Sequence, residues 1–163
     1  MPLIPDQHKK KAAAAAIATA LAIPMEGVRQ FAYYDPPGIL TVCEGHTGKD
    51  IVKNHKYSLD ECRAYMTADM LTAVNLVSIC TPKNIPTNVL AAFSDATFNI
   101  GSNIVCNRSK STAAKYLWQG NFIAACNELP KWNKAKVAGV LVVLPGLDKR
   151  RKIEQKLCLE GLS

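Results

Sequence analysis

The chain has few aromatic residues and no apolar stretch long enough to cross a bilayer as a stable helix. Aromatic side chains make up only 7% of the 163 residues, so the core must rest mainly on Leu, Ile, Val and Ala. The longest weakly apolar run, residues 12–23, is shorter than the roughly 20 residues that a membrane span needs. Internal repeats are absent as well. With 48% hydrophobic and 20% charged residues, the composition excludes a disordered tail protein and a collagen-like chain, and the length suits one domain.

Zinc-type cysteine spacing is also absent. The chain has six cysteines at long intervals, and no pair shows the C-x-x-C spacing of a zinc site. An even number of distant cysteines is typical of disulfides, which form outside the reducing cytoplasm. Six buried thiols are the alternative, and sequence alone does not choose among the fifteen possible pairings. The cysteines are Cys43, Cys62, Cys80, Cys106, Cys126 and Cys158.

Acidic residues are scarce toward the C-terminus. The net charge is +7, and residues 131–163 carry eight basic and three acidic side chains. This excess indicates attraction to an anionic partner or surface. A nucleic-acid partner is not expected, because no aromatic stacking platform or known binding motif accompanies the basic residues. An anionic bacterial envelope is the other candidate, and a cationic protein that disrupts membranes without catalysis is the alternative function.

The N-terminal segment allows three interpretations. Lys9, Lys10 and Lys11 precede an alanine-rich run that ends at Pro24. A basic stretch followed by a short apolar stretch is typical of a secretory signal, yet alanine is also the best helix former. The segment is therefore a cleaved signal peptide, a weak reversible membrane anchor or an ordinary first helix of the fold.

The remaining pattern predicts an α+β protein with a small antiparallel sheet followed by a helical bundle. Residues 31–57 are rich in turn and β-forming residues, which indicates short strands. Ser58 and Glu61 have the spacing of a capping box. The predicted helices run from this box to near Cys80, from Pro86-Thr87 to Gly101, over about 110–119 and 121–128, and from Pro145 to about Leu159. Val140–Leu144 fits either a short strand or a buried loop.

Two carboxylates and a hydroxyl suggest a hydrolytic site. Asp35 lies nine residues after Glu26, and Thr41 follows six residues later. Glycoside hydrolysis needs one protonated acid for the leaving oxygen and one carboxylate for the water or the sugar cation. A threonine hydroxyl can hold that water. The spacing alone is only permissive, since carboxylates nine residues apart in loops are usually solvated surface.

The segment resembles the phage-type lysozymes, glycoside hydrolase family 24. The resemblance rests on Glu26-Gly27-Val28-Arg29, Tyr33-Tyr34-Asp35, Thr41 and Gly45-His46, in the order and spacing of that family's signature. The stretch from Thr41 to Ile51 is similar to the lambdoid endolysins in particular. Matches at Tyr57–Cys62, Phe98–Gly101 and Pro145–Cys158 extend the likeness over nearly the whole chain.

The resemblance implies a lysozyme-like fold with one domain over 25–163. A β-lobe at about 31–57 and a helical lobe at about 58–163 would enclose the active-site cleft. The enzyme would hydrolyse the β-1,4 bond between N-acetylmuramic acid and N-acetylglucosamine in peptidoglycan, with inversion. Glu26 would be the general acid, and Asp35 and Thr41 would position the water. The family also implies a monomer that needs no metal or organic cofactor.

Other side chains have less defined roles under this resemblance. His46 either supports the site or is a hydrogen-bonded structural histidine. Arg150 or Arg151 either buttresses the carboxylates or binds solvent and polyanion.

The resemblance also bears on export and on cysteine pairing. Within the N-terminal helix, residues 1–24, the stretch 9–23 is similar to a signal-anchor-release segment, which tethers an endolysin to the inner membrane before release into the periplasm. A soluble first helix and a location in the host cytoplasm are the alternative. Cleavage after Ala22 is disfavoured because it would remove the helix that supports Glu26. The expected disulfides are Cys43–Cys62, Cys80–Cys106 and Cys126–Cys158. Val137–Leu144 is more apolar than expected and is interpreted as a packing insertion.

Overall fold

A computed structural model describes residues 6–162 and confirms the α+β class. Within these residues, a small sheet follows the first helix, and the rest of the chain is mainly helical. The helices are α1 (Asp6–Ala22), α2 (Leu59–Cys80), α3 (Thr87–Ile100), α4 (Asn103–Cys106), α5 (Thr112–Trp118), α6 (Phe122–Glu128) and α7 (Pro145–Leu159), with short 3-10 turns at Ile23–Met25 and Leu129–Lys131. The strands are β1 (Arg29–Tyr34), β2 (Leu40–Cys43), β3 (His46–Thr47), β4 (Lys134–Val137) and β5 (Val140–Val143).

Helix α1 is part of the folded core. Ala14, Ala15, Ala18 and Ala22 are buried on one face, and this face packs against α3 and α2. Small side chains at i, i+4 and i+8 let the helix axes approach closely. The amine of Lys10 donates hydrogen bonds to the carbonyls of Lys83 and Ile85, at 2.9 and 3.0 Å. Across residues 6–162, none of the helices combines the length and the apolar character needed to cross a membrane.

The first sheet is an antiparallel β1-β2-β3 meander. Tyr33 pairs with Thr41, Thr41 pairs with Thr47, and the register of β1 shifts before Tyr33. Its buried side packs around Val42, Ile51 and Tyr57. This small cluster is separate from the main core, so the sheet depends on other links for its position on the helices.

Helix α3 lies at the centre of the helical part. Every residue from Val89 to Thr97 is buried, since α1, α2 and α7 all pack against this helix. Gly101 ends the helix with a φ of +90°, where its N–H donates to the Thr97 carbonyl at 2.8 Å. Glycine adopts this backbone region without the strain that a Cβ imposes. The predicted bounds of α2, α3 and α7 and the capping box of Ser58 and Glu61 are confirmed.

All three expected disulfides are present. Cys43–Cys62 links β2 to α2, Cys80–Cys106 links α2 to α4, and Cys126–Cys158 links α6 to α7. Within residues 6–162, no cysteine is left free. Each bond joins two different elements, so together they restrain the sheet, the short helix α4 and the C-terminal helix against the rest of the fold.

The apolar segment before α7 forms an exposed hairpin. The strand alternative for Val140–Leu144 is correct, whereas the buried loop and the packing insertion are wrong. Strands β4 and β5 pair in register around a two-residue turn, so their backbone groups bond to each other and need no cover from the core. Val137, Val140, Leu141 and Val143 are 50–61% exposed. The four-residue helix α4 also has no counterpart in the sequence prediction.

Candidate active site

Glu26 stands at the junction between the helical and β parts of the molecule. It follows the 3-10 turn that ends α1, and its N–H donates to the carbonyl of Ala22 at 3.1 Å. Pro24 in that turn prevents α1 from continuing, so the chain turns toward the sheet at Glu26. The carboxyl is half-buried, with 23% of its side chain exposed. This position gives it contact with solvent on one side and with the protein on the other.

Arg150 of α7 lies between Glu26 and a second carboxylate. Its Nη1 donates to Glu26 Oε1. Its Nε and Nη2 donate to the two carboxylate oxygens of Asp95, at 2.9 and 2.7 Å. Burial disfavours the charge of Arg150, but the hydrogen bonds that it donates to Asp95 and then to Glu26 outweigh this effect and raise the pKa of Arg150 above its ordinary value. The guanidinium is therefore a permanent cation held beside Glu26.

Asp95 is the buried residue that the sequence analysis did not identify. It sits in the middle of α3, is 0% exposed and uses both oxygens on Arg150. Such a bidentate pair fixes the plane of the guanidinium. An aspartate within an otherwise apolar helix face was the available signal, because buried carboxylates are almost always paired. The sequence gives no indication of the partner, which lies 55 residues away.

Asp35 and Thr41 form a second pair on the sheet. The chain turns at Asp35 through hydrogen bonds from its N–H to the Ile39 carbonyl, 3.0 Å, and from the Ile39 N–H to Asp35 Oδ1, 2.8 Å. Thr41 on β2 places its hydroxyl 3.4 Å from Asp35 Oδ2. The same hydroxyl donates to the Ile39 carbonyl at 3.0 Å. The turn thus leaves Oδ2 facing the Thr41 hydroxyl while Oδ1 is engaged by the backbone.

His46 links β3 to α2. Its Nδ1 lies 2.8 Å from Asp69 Oδ2, and its Nε2 lies 3.2 Å from the Asp50 carboxylate. The ring stacks on Tyr65 with centroids 3.8 Å apart. The hydrogen bond with His46 lowers the pKa of Asp50, while burial and then Asp50 raise the pKa of Tyr65 to about 12. The imidazole is thus hydrogen-bonded on both nitrogens, to partners other than Glu26, Asp35 and Thr41.

Arg151 points away from Glu26 into the core. It is fully buried, and its Nη2 donates to Asn99 Oδ1 at 2.8 Å and to Glu154 Oε1 at 2.5 Å. Glu154 is also fully buried. Burial, followed by the hydrogen bond with Asp95, raises the pKa of Glu154 well above the ordinary value. Of the two predicted arginines, only Arg150 contacts Glu26, and Arg151 anchors α7 to α3.

Glu26 lines one cavity, and a second cavity in the described part of the molecule is lined by none of Glu26, Asp35 and Thr41. One of about 660 Å³ is lined by Glu26, Arg150, Asn99 and apolar side chains that include Met25, Leu144 and Leu147. The other, of about 270 Å³, lies between the β2–β3 connection and helices α2 and α3. The wide cavity gives Glu26 an approach for a bulky molecule, and the smaller one lies between the sheet and the helices, where the sequence predicts a cleft.

Comparisons with known proteins identify a family model and several similar chains. The family model "Phage lysozyme" matches residues 24–154. The chain is 34% identical over 137 residues to the SAR-endolysin of Bacteriophage PS119, covering 84% of this chain and 78% of that protein.

The solved structures include two forms of one protein, the P1 phage endolysin Lyz. The active form aligns with a TM-score of 0.76 at 26% identity, covering 90% of this chain and 85% of the other. The secreted inactive form aligns with a TM-score of 0.53 at 26% identity, covering 71% of this chain and 78% of the other. The present fold is therefore more similar to the active form.

Proposed function

Because the chain belongs to the phage lysozyme family, whose members are lytic muramidases, we propose that it hydrolyses the β-1,4 bond between N-acetylmuramic acid and N-acetylglucosamine in peptidoglycan. Family membership makes the chain a lysozyme, that is, a hydrolase. The observation that carries the specific proposal is the contact of Glu26 with Arg150 at the wall of a wide cavity. The Asp35–Thr41 pair on the sheet adds the second carboxylate and the hydroxyl that the reaction needs.

Glu26 is the general acid in this proposal. In its protonated form it donates a proton to the glycosidic oxygen as the bond to the anomeric carbon breaks. Its half-buried position supports this role, because Glu26 lines the cavity while its carboxyl is held by Arg150. The polysaccharide would enter that cavity, whose wall also offers the polar side chains of Glu26, Asn99 and Arg150.

Arg150 positions the Glu26 carboxyl. Asp95 holds the guanidinium through two hydrogen bonds, so the location of Arg150 does not depend on whether Glu26 is ionised. After proton transfer, the guanidinium faces the newly formed Glu26 carboxylate and stabilises its charge. Asp95 accepts two hydrogen bonds from Arg150 and so offsets much of its positive charge.

Asp35 and Thr41 position the attacking water. Asp35 Oδ2 accepts one hydrogen bond from the water and takes up its proton, while the Thr41 hydroxyl fixes its orientation. The water attacks the anomeric carbon on the face opposite the leaving oxygen, which gives inversion. The 3.4 Å separation between Thr41 Oγ1 and Asp35 Oδ2 supports this role, because one water can bond to both groups at once.

We propose export to the periplasm, with residues 9–23 as the segment that tethers the chain to the inner membrane before release. Two observations support this: three disulfides, which need an oxidising compartment, and the similarity to SAR-endolysins. The folded position of α1 represents the released state in this proposal, since its buried alanine face is occupied by α2 and α3. The released enzyme is proposed to act as a monomer.

The test is lysis of chloroform-permeabilised Gram-negative cells followed by turbidity. Glu26→Gln keeps the size of the side chain and removes the proton donor, so we expect wild type to clear the suspension and this variant to fail. Glu160→Gln, at an exposed glutamate in the turn after α7, is the matched control and should retain full activity. Muropeptides with free reducing ends are expected as products. Equal clearing by wild type and Glu26→Gln would refute the role of Glu26, and anhydro products would refute hydrolysis.

A further inference from the structure

The β4–β5 hairpin carries an apolar tip with no cover among the described residues. Ala138 and Gly139 occupy the turn with φ values of +49° and +80°. Two successive positive φ values define a type I′ turn, which closes a tight hairpin. Val137 and Val140 flank this turn as a pair and are 51% and 61% exposed. The point of the hairpin farthest from its base is therefore entirely non-polar.

The hairpin projects as a rigid element. The Leu144 N–H donates to the Asn133 carbonyl at 3.0 Å, and the Asn133 side chain donates to Asp148 at 2.9 Å. These bonds join the base of the hairpin to the start of α7. Only the Ala135–Val142 pair at the base is half-buried. The other residues of β4 and β5 are exposed to solvent, because the anchored base holds the hairpin away from the rest of the protein.

Two lysines of strand β4 lie behind the apolar tip, toward the base of the hairpin. Lys134 pairs with Val143 and Lys136 pairs with Leu141, so on one face each lysine stands beside an aliphatic side chain. Both lysines are exposed. Residues 129–147 contain three lysines and no acidic residue. A binding surface for this hairpin must therefore offer an apolar interior and an anionic rim.

From this arrangement we propose that the β4–β5 hairpin docks the protein on an anionic lipid bilayer, with residues 137–141 among the acyl chains and Lys134 and Lys136 at the headgroups. An apolar tip with lysines behind it matches the order of layers in a bilayer surface. A polysaccharide offers hydroxyls and amides instead, which valine and leucine side chains cannot satisfy. The inference is independent of the catalytic roles proposed for Glu26, Asp35 and Thr41. It also concerns a segment other than residues 9–23.

The test is flotation of the disulfide-intact full chain with vesicles at low ionic strength. One set of vesicles contains phosphatidylglycerol and phosphatidylcholine, and the other contains phosphatidylcholine alone. We expect binding to the anionic set, weakened by salt. The double variant Val140→Thr/Leu141→Thr should bind at least about tenfold more weakly, because it removes apolar surface from the tip while keeping β-forming residues.

Matched variants separate this surface from the rest of the chain. Val52→Thr/Ile79→Thr makes the same kind of change at apolar side chains that are 59% and 77% exposed, and it should bind like wild type. Lys134→Gln/Lys136→Gln should lose binding to the anionic vesicles and much of the salt dependence. Residues 9–23 are identical in all these proteins, so they cannot account for the differences. Circular dichroism spectra that match wild type would exclude misfolding.

Three outcomes would overturn the proposal. The first is the absence of binding by wild type to anionic vesicles. The second is equal binding by wild type and the Val140→Thr/Leu141→Thr variant. The third is a Val140→Thr/Leu141→Thr variant that binds vesicles normally but sediments less with insoluble peptidoglycan than wild type does, or that is a monomer where wild type is a dimer. That result would assign the hairpin to substrate contact or to self-association.

Discussion

Removal of individual disulfides should separate the stability of the fold from the positioning of the active site. Cys43–Cys62 and Cys80–Cys106 close loops of 19 and 26 residues. Loop-closure entropy then predicts losses of about 3 and about 3.5 kcal/mol when each pair is replaced by alanine. For a domain of this size, these losses correspond to a fall in Tm of about 6–14 °C. Loop length alone thus predicts nearly equal destabilisation.

The structure predicts different effects on activity. Cys43 ends β2, two residues after Thr41, and its bond to Cys62 ties the sheet to α2. Besides this bond, the sheet contacts α2 through a small cluster around Val42 and Ile51 and through His46, so loss of the bond should displace Thr41 and Asp35. Cys80–Cys106 joins α2 to α4, and neither of these helices carries Glu26, Asp35 or Thr41. We expect a fall in kcat of about tenfold to a hundredfold for Cys43→Ala/Cys62→Ala and none for Cys80→Ala/Cys106→Ala.

The assay is thermal unfolding under non-reducing conditions, together with turbidity kinetics at a temperature where both variants are folded. Each variant serves as the control for the other, because both remove one bond and two sulfur atoms. Equal loss of kcat in the two variants would show that global destabilisation, and not the position of the sheet, limits activity. Unchanged kcat in Cys43→Ala/Cys62→Ala would refute the view that this bond positions the β-lobe.

Three further predictions test the buried charges and α1. Burial raises the pKa of Glu154 in the folded state, so above about pH 4.5 the unfolded chain loses this proton first and the free energy of unfolding falls as pH rises. The Glu154→Gln variant should lack this fall. Urea-unfolding free energies of wild type and variant that run parallel from about pH 4 to pH 8 would contradict the prediction. Asp95→Asn should lower the free energy of unfolding by about 3 kcal/mol, and it should lower kcat because Arg150 loses the partner that fixes its position. An unchanged Tm and an unchanged kcat would refute the claim that Asp95 holds Arg150 in place. Ala18→Leu should cost about 1–3 kcal/mol by overpacking, while Ala13→Leu, at an exposed position of the same helix, should stay within about 0.5 kcal/mol in the same unfolding measurement.

Local patterns predicted much of this structure. Local signals mark the helix ends: the capping box at Ser58 begins α2, a glycine follows α3, and a proline begins α7. Each signal acts on backbone groups within a few residues. Such features depend on short-range hydrogen bonds and backbone preferences, so the sequence is sufficient to locate them. The spacing of Glu26, Asp35 and Thr41 was also visible, although only its likeness to a family suggested a shared site.

Interactions between distant segments were decided by the tertiary structure. The sequence left Arg150 and Arg151 equivalent, yet adjacent residues of α7 point in different directions, and only Arg150 reaches Glu26, 124 residues earlier. Asp95 showed no local sign of its partner for the same reason. His46 likewise acquires Asp69 and Asp50 only when β3 lies against α2.

The hairpin gives the sharpest contrast between the two levels. The valine-rich run determined that a strand was available there, because β-branched residues favour extended backbone. Whether that strand is buried depends on what packs against it. Ala138 and Gly139 turn the chain back so that β4 and β5 satisfy each other's hydrogen bonds, and the apolar side chains remain at the surface. Local sequence patterns thus specify the helices, the strands and the side chains that they carry, whereas tertiary packing selects which side chains meet and which stay exposed.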